Sequence, residues 1–281
     1  MSLVKLVEAD LGESKHLLER HIDTLVFPLE SWVEDNLFKS EINLLKSGGK
    51  HIGYAAINNN ILEAFHVLKE HFRDAPAAFA QVISDQKIER VRAMSHDYLL
   101  SAVLAEWEYD KKKGACFFVD AGNPNNLDKE PASKGFRVAA PGDLDAIRSV
   151  SGDFFEEPGG GFATLEERVA AETVFVIEDG QDLLGCGLFE KGRLCPGCAS
   201  IGMFTNPEFR HRGVAKKMLL NLKKYVYRLG LIPVAGCWYY NTLSRRSLEA
   251  AGMVAVSIGY DAVLKGKEEV PLQTILPPRE N

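Results

Sequence analysis

The sequence is short of the features that mark several large classes of protein. Five of its 281 residues are cysteine (Cys116, Cys186, Cys195, Cys198 and Cys237), an odd count in a long chain, so no disulfide framework is expected. No stretch approaches the ~18 consecutive apolar residues of a membrane span, because charge interrupts every long window. The opening MSLVKLVEAD lacks the apolar centre of a secretion signal. A reduced, cytoplasmic protein with no membrane partner is the expectation. Basic charge is not in excess either: 33 Lys and Arg stand against 39 Asp and Glu, a formal net charge of −6, which disfavours nucleic acid as a partner. The seven histidines are scattered, with no H-E-x-x-H pair. Cys195-Pro196-Gly197-Cys198 is a lone C-x-x-C at a turn between strands, and without a second such pair a structural metal is not expected. The run Lys111-Lys112-Lys113 reads as the solvated entry of a strand at a sheet edge.

What is present is globular composition, 46% hydrophobic and 26% charged. At about 150 residues per domain the length suggests two domains. Residues 120–135, DAGNPNNLDKEPASKG, offer almost nothing to bury and read as a linker. On this reading residues 1–119 form one α+β domain, 136–264 a second, and 265–281 a tail. In the second, residues 172–190 form a hairpin around Glu178-Asp179-Gly180. An apolar strand at 199–204, a helix at 213–229, a strand at 232–240, a helix at 242–251 and an apolar strand at 253–264 follow. In the first, a helix spans 11–25, and residues 42–67 read strand, turn, strand, turn, strand. Helix (75–83), strand (88–93), helix (97–107) and strand (115–119) complete it. The two orders agree, and Phe72-Arg73-Asp74-Ala75-Pro76-Ala77-Ala78 lies over Phe209-Arg210-His211-Arg212-Gly213-Val214-Ala215 with three identities, so a diverged duplication is expected. In this alignment Pro76 and Asp74 replace Gly213 and His211, both unfavourable to an anion, and only the second domain is expected to bind a cofactor.

The informative segment is IGMFTNPEFRHRGVA, residues 201–215, a buried strand running through a glycine-bearing turn into a helix. The first four N–H groups of a helix lack internal partners, and the macrodipole adds roughly half a positive charge there, so such a turn can hold a pyrophosphate. Gly213 permits close approach, Arg210 and Arg212 flank it, and Lys216 and Lys217 raise the local potential. A further strand ends at Asn241, before the helix of TLSRRSLEAAG. Together these elements resemble the GCN5-related N-acetyltransferase (GNAT) family, whose acetyl-CoA site is R/Q-x-x-G-x-G/A followed by a strand and N-x-x-S/A. The resemblance covers residues 136–264, the first half being at most a degenerate copy, and implies a mixed α/β fold, a mixed sheet with flanking helices.

The resemblance also implies a site. Met203, Phe204 and Thr205 would pair with pantetheine, a strand-like arm; Arg210, His211, Arg212, Gly213, Val214, Ala215 and Lys216 would hold the pyrophosphate. Asn241 and Ser244 would sit beside the pantetheine and thioester end. Acetyl-CoA is the implied cosubstrate and a small-molecule or peptide amine the acceptor, with a homodimer as a further expectation. One departure matters, because the tyrosine that many members carry seven residues after the asparagine is Leu248 here. Period-two alternation puts Tyr239 and Cys237 on the side of Asn241, and Tyr239 is the expected acid. For the base, a carboxylate within reach of the amine is required; Glu190 is the expected group, with Glu156 and Glu157 as alternatives. The expected activity is direct acyl transfer from acetyl-CoA to an amine, the alternative a non-catalytic acyl-CoA-binding module.

Overall fold

The computed structural model describes residues 4–122, 133–152 and 163–267. Among these residues the centre is a mixed sheet of twelve strands. In chain order these are β1 (Lys5–Ala9), β2 (Glu41–Ser47), β3 (Lys50–Asn58), β4 (Ile61–Val67), β5 (Arg90–Met94), β6 (Trp107–Asp120), β7 (Phe136–Val138), β8 (Val174–Asp179), β9 (Asp182–Lys191), β10 (Cys198–Thr205), β11 (Ile232–Trp238) and β12 (Met253–Lys267). The helices are α1 (Leu11–Ile22), α2 (Ser31–Phe38), α3 (Ala75–Asp85), α4 (Tyr98–Leu104), α5 (Leu144–Ser151), α6 (Leu165–Ala170), α7 (Val214–Arg228) and α8 (Thr242–Ala250).

The spatial order β1-β2-β3-β4-β5-β12-β6-β11-β10-β9-β8-β7 is a palindrome of two equivalent halves. Read inward from either edge, neighbours are antiparallel except the fourth and fifth strands, β4 with β5 and β10 with β11, which run parallel. The sixth strand of each half comes from the other half of the chain. β6 follows β5 in sequence but pairs with β11, and β12 follows α8 but pairs with β5. Between them lies an antiparallel ladder from Met253 opposite Asp120 to Lys267 opposite Trp107, with three register shifts along it. The halves therefore cannot separate without breaking the longest ladder in the sheet.

Alternation along the central strands assigns the faces. Phe117 and Val234 pack with α1 and α2, whereas Phe118 and Ala235, one residue on, pack with α7 and α8. α3 and α4 cover the first half's strands through Ala78, Phe79, Leu100 and Val103. Local chemistry starts the helices: Asp10 and Glu13 form a reciprocal capping box on α1, and Thr164 and Glu167 do so on α6.

The strand–turn–strand–turn–strand reading of residues 42–67 is β2, β3 and β4, with the left-handed Gly48, Gly49, Asn59 and Asn60 at the turns. The duplication holds, but the seven-residue alignment is out of register. α3 begins at Ala75 after Asp74, and α7 at Val214 after Gly213, so Asp74 rather than Pro76 occupies the place of Gly213. The lysine run 111–113 also departs from expectation, because β6 lies inside the sheet. Its three lysines stay exposed because they extend past the end of β11, where Lys111 lies over the Tyr260 ring and Lys113 over Tyr239.

Candidate functional site

The ladder between β10 and β11 stops at Ser200 opposite Val234. Both strands continue, β10 to Thr205 along β9 and β11 to Trp238 along β6, so a V-shaped opening forms between Ile201–Thr205 and Ala235–Trp238. Beyond it Asn206 caps a single turn, Pro207–Phe209, by accepting from the Glu208 N–H, and donates to the Leu183 carbonyl at 2.9 Å. The exposed segment 210–213 then leads into α7. Here two residues are left-handed, His211 (φ 62°) and Gly213 (φ 78°), and no side chain caps α7. A Cβ built on Gly213 would meet nothing within 4 Å. Uncapped N–H groups, open space above them, and exposed Arg210, Arg212, Lys216 and Lys217 make this an anion-binding helix start.

From the opening of the V a groove of ≈ 660 Å³ runs across the sheet toward the first half. Met203, Phe204, Asn241, Ser244 and Leu248 line one end, and Glu63, Arg92 and Asp261 the other. Asn241 is the N-cap of α8, its Oδ1 accepting from Ser244 N at 3.0 Å. At the apex α2 of the first half is docked on the second. Buried Glu34 accepts from the backbone N–H groups of Arg193, Leu194 and Cys195 at 2.7, 3.0 and 3.0 Å. Asp35 pairs with the Arg193 guanidinium, and Ser31 N donates to Ser200 Oγ at 2.8 Å. This docking sets Glu30 over β11, where a Cβ on Gly236 would stand 3.2 Å from its carboxyl. Burial, with the nearby Glu190 and Asp35 charges adding to it, pushes the Glu30 pKa up to about 7 against the opposing hydrogen bonds from Trp32 N and Ser31 Oγ.

The first half has the same splay, since β4 and β5 hold only two pairs, Ile61 opposite Arg90 and Leu62 opposite Val91. Beside it four buried side chains meet. His21 contacts Tyr54 OH through Nδ1 at 2.7 Å and Asp97 Oδ2 through Nε2 at 3.1 Å, and His66 stacks on His21 at 4.6 Å. Asp97 caps α4 as Asn241 caps α8. The residues between β4 and α3, all of them described, include none in the left-handed region, so this half has no counterpart of the 210–213 loop.

Two sequence models of one family match the chain, an acetyltransferase (GNAT) domain over residues 11–121 and the acetyltransferase (GNAT) family over residues 145–253. This chain belongs to the GNAT family. No curated protein matches it. Among solved structures, an acetyltransferase of the GNAT family from Colwellia psychrerythraea is similar over 93% of this chain and 99% of its own, at 16% identity and a TM-score of 0.80. A tandem GNAT protein from the clavulanic acid biosynthesis pathway is similar over 92% and 97%, at 14% identity and 0.57. A GCN5-related N-acetyltransferase from Sphaerobacter thermophilus is similar over 94% and 96%, at 14% and 0.55. These likenesses concern the fold, and the two family matches fall one on each half of the chain, the first including β6, which sits in the other half of the sheet.

Against that GNAT frame, Met203, Phe204, Asn241 and Ser244 meet in the groove, while Thr205 and residues 210–216 are outside its lining, as the end of β10 and the loop and first turn of α7. Glu190 lines the groove but is paired with the nearly buried Arg168 at 3.2 Å. Tyr239 is not among the groove-lining residues. β11 ends at Trp238, yet alternation continues past it: Tyr239 packs on the same apolar cluster as Cys237 while Trp238 and Tyr240 are exposed, and the Tyr239 hydroxyl accepts from Lys113 Nζ at 3.1 Å. Trp238 and Cys237 line the groove instead, the Cys237 thiol pushed up to about 11 chiefly by burial. Glu156 and Glu157 lie outside the described residues. Glu30 was not legible as a site residue, because nothing in the string PLESW shows that α2 reaches across to β11, and no helix was expected at Ser31–Phe38.

Proposed function

We propose that the protein is an acyl-CoA-dependent N-acyltransferase, in the simplest case an N-acetyltransferase, with one active site in its second GNAT domain. The observation that carries this reading is the β10–β11 splay leading into an uncapped helix start with Gly213 left-handed beneath open space. In it Arg210, His211, Arg212, Gly213, Val214, Ala215 and Lys216 hold the pyrophosphate of acetyl-CoA. Met203, Phe204 and Thr205 lie along the pantetheine arm, and Asn241 and Ser244 close it from the α8 side. Bound acetyl-CoA supplies the acyl thioester. The chain's part is to orient the amine in the groove, exclude water, and accept a proton. Backbone N–H groups near Phe204 and Thr205 stabilise negative charge on the acyl oxygen. GNAT enzymes in general act on small-molecule or peptide amines, and the groove between the halves is the place for such an acceptor. We place the first domain at residues 1–119 and the second at 136–264, with the strand exchange making them one folding unit.

A second reading, a non-catalytic acyl-CoA-binding module, is favoured by one observation: Leu248 stands where many members have tyrosine, and Tyr239, whose hydroxyl accepts from Lys113, does not line the groove. Thiol release from acetyl-CoA with a panel of primary amines separates the two. Amine-dependent release supports the transferase; tight acetyl-CoA binding without release to any amine supports the module.

A further inference from the structure

We propose that the first domain supplies the catalytic base to the second domain's site, and that the base is Glu30. This rests on the transferase reading above. Three features of geometry converge on it. First, the carboxyl lies against Gly236, two residues past the last β10–β11 pair, where the V narrows. Second, its place is fixed from the second domain's side: Ser31 N donates to Ser200 Oγ, and Ser200 is that last paired residue of β10. The pyrophosphate loop follows Thr205, so a strand-like arm entering there and running back along β10 points its reactive end toward this apex. Third, the two apex carboxylates differ in their partners. Glu190, opposite Ser200 in the β9–β10 ladder, is held by Arg168, whereas among the described residues no lysine or arginine pairs with Glu30.

The surrounding charges make Glu30 a base at neutral pH. Glu190 on β9 and Asp35 on α2 face it and disfavour its ionised form. Arg168 on α6 is spent on Glu190 and the Arg193 guanidinium on Asp35. Cys237 on β11 keeps its proton. Farther along the groove, Arg92 on β5 is shared between Glu63 on β4 and Asp261 on β12, and Tyr260 on β12 is a neutral phenol. A carboxyl so placed is ionised in a useful fraction near pH 7 and is basic enough to take a proton from an ammonium. In that step an N–H proton passes to the Glu30 carboxylate, and the bonding pair stays on nitrogen. This pair forms the C–N bond to the acyl carbon as the C–S bond breaks with its pair on sulfur. The sulfur takes up one proton, a second leaves the nitrogen to give the neutral amide, and the net release is one proton.

The test uses the full chain and Glu30→Gln, with acetyl-CoA as donor and n-butylamine, 2-phenylethylamine, lysine amide and methoxyamine as acceptor probes. Methoxyamine is neutral at pH 7 and needs no proton removed before attack. Three results together are expected. The acetyl-CoA Kd stays within about twofold. kcat/KM for the alkylamines falls by about 100-fold or more, and the wild-type rise in rate through pH ~7 disappears. Methoxyamine retains activity within about tenfold. A readout independent of turnover is the ¹³C-carboxyl NMR titration of the cofactor-free protein, in which one glutamate signal should titrate near pH 7 and be missing from the variant. Alkylamine turnover within threefold of wild type with an unchanged pH profile overturns the proposal, and so does a Glu30 signal titrating below pH 5. If the Glu30→Gln substitution disturbs folding, the NMR titration and pH profile of the wild type still decide. Absence of transfer to every probe by wild type that binds acetyl-CoA would instead refute the transferase reading, and this proposal with it.

Discussion

Replacing Glu34 by alanine tests whether α2 is held on the second domain by a carboxylate rather than by apolar packing alone. Glu34 has 0% exposure, and its two oxygens take the N–H groups of Arg193, Leu194 and Cys195 at 2.7, 3.0 and 3.0 Å. Hydrogen bonds to a charged group contribute about 1.5–3 kcal/mol each, but they act here as one unit and do not add. Truncation leaves three donors without an acceptor, one buried at Cys195 and two part-buried at Arg193 and Leu194, and water can reach part of the space vacated. A loss of about 3 kcal/mol is expected, within the range for a broken buried charged contact. For a chain of this size that corresponds to a Tm lower by roughly 6–12 °C. Glu34→Gln keeps the oxygen that serves Leu194 and Cys195 but turns an NH2 toward Arg193 N, so about half the loss is expected. Differential scanning calorimetry reads both. The 210–215 loop lies away from this contact, so the acetyl-CoA Kd should stay within about threefold. A Glu34→Ala protein melting within 2 °C of wild type would refute the reasoning.

Two further outcomes follow from the site. Glu30 is protonated more readily in the folded chain (about 7) than at the usual 4.5, so the folded state binds the extra proton and stability falls as pH rises from 4.5 through 7. The full penalty is present above pH 7. At ~1.4 kcal/mol per pH unit its ceiling is about 3 kcal/mol. Glu30→Gln should therefore equal wild type near pH 4.5 and be more stable at pH 8 by urea denaturation; a variant less stable at pH 8 would contradict this. Tyr239→Phe should change turnover by less than about threefold, since that hydroxyl is bonded to Lys113 and Tyr239 does not line the groove; a drop of ~10²-fold would make Tyr239 the acid that the missing tyrosine at Leu248 leaves wanting.

Much of the architecture was legible because periodicity and turn chemistry are local. The turns at Gly48-Gly49 and Asn59-Asn60 and the 201–215 segment carried their own signals, and so the second half's elements fall within a few residues of expectation. The strand exchange was not legible. β6 and β12 pair because both halves expose equivalent edges, and no residue in either strand names its partner. The register of the repeat was misjudged because the first half has lost the left-handed loop, which removes the landmark used to align it. The acceptor side of the site escaped for a related reason: Glu30 acts across a domain boundary, and its reach depends on Glu34 finding three N–H groups some 160 residues away. Tyr239 falls on the side of Cys237 as alternation implies, since both pack on one apolar cluster, but alternation could not show that Lys113 takes its hydroxyl.

The central claim, that acetyl-CoA is held by the splay and loop of the second domain alone, is tested most directly by calorimetric titration of the full chain, wild type and Gly213→Val. In the wild type the first half lacks a counterpart of the 210–213 loop and has the buried His21, Tyr54, His66 and Asp97 beside its splay, so about one site per chain is expected. In the variant a β-branched residue is forced toward a left-handed conformation, and its side chain enters the open space above the helix start. Affinity should fall by about tenfold or more, at least ~1.4 kcal/mol, with the fold retained by circular dichroism. Two sites per chain, no binding to the wild type, or unchanged affinity in a folded Gly213→Val protein would contradict the account.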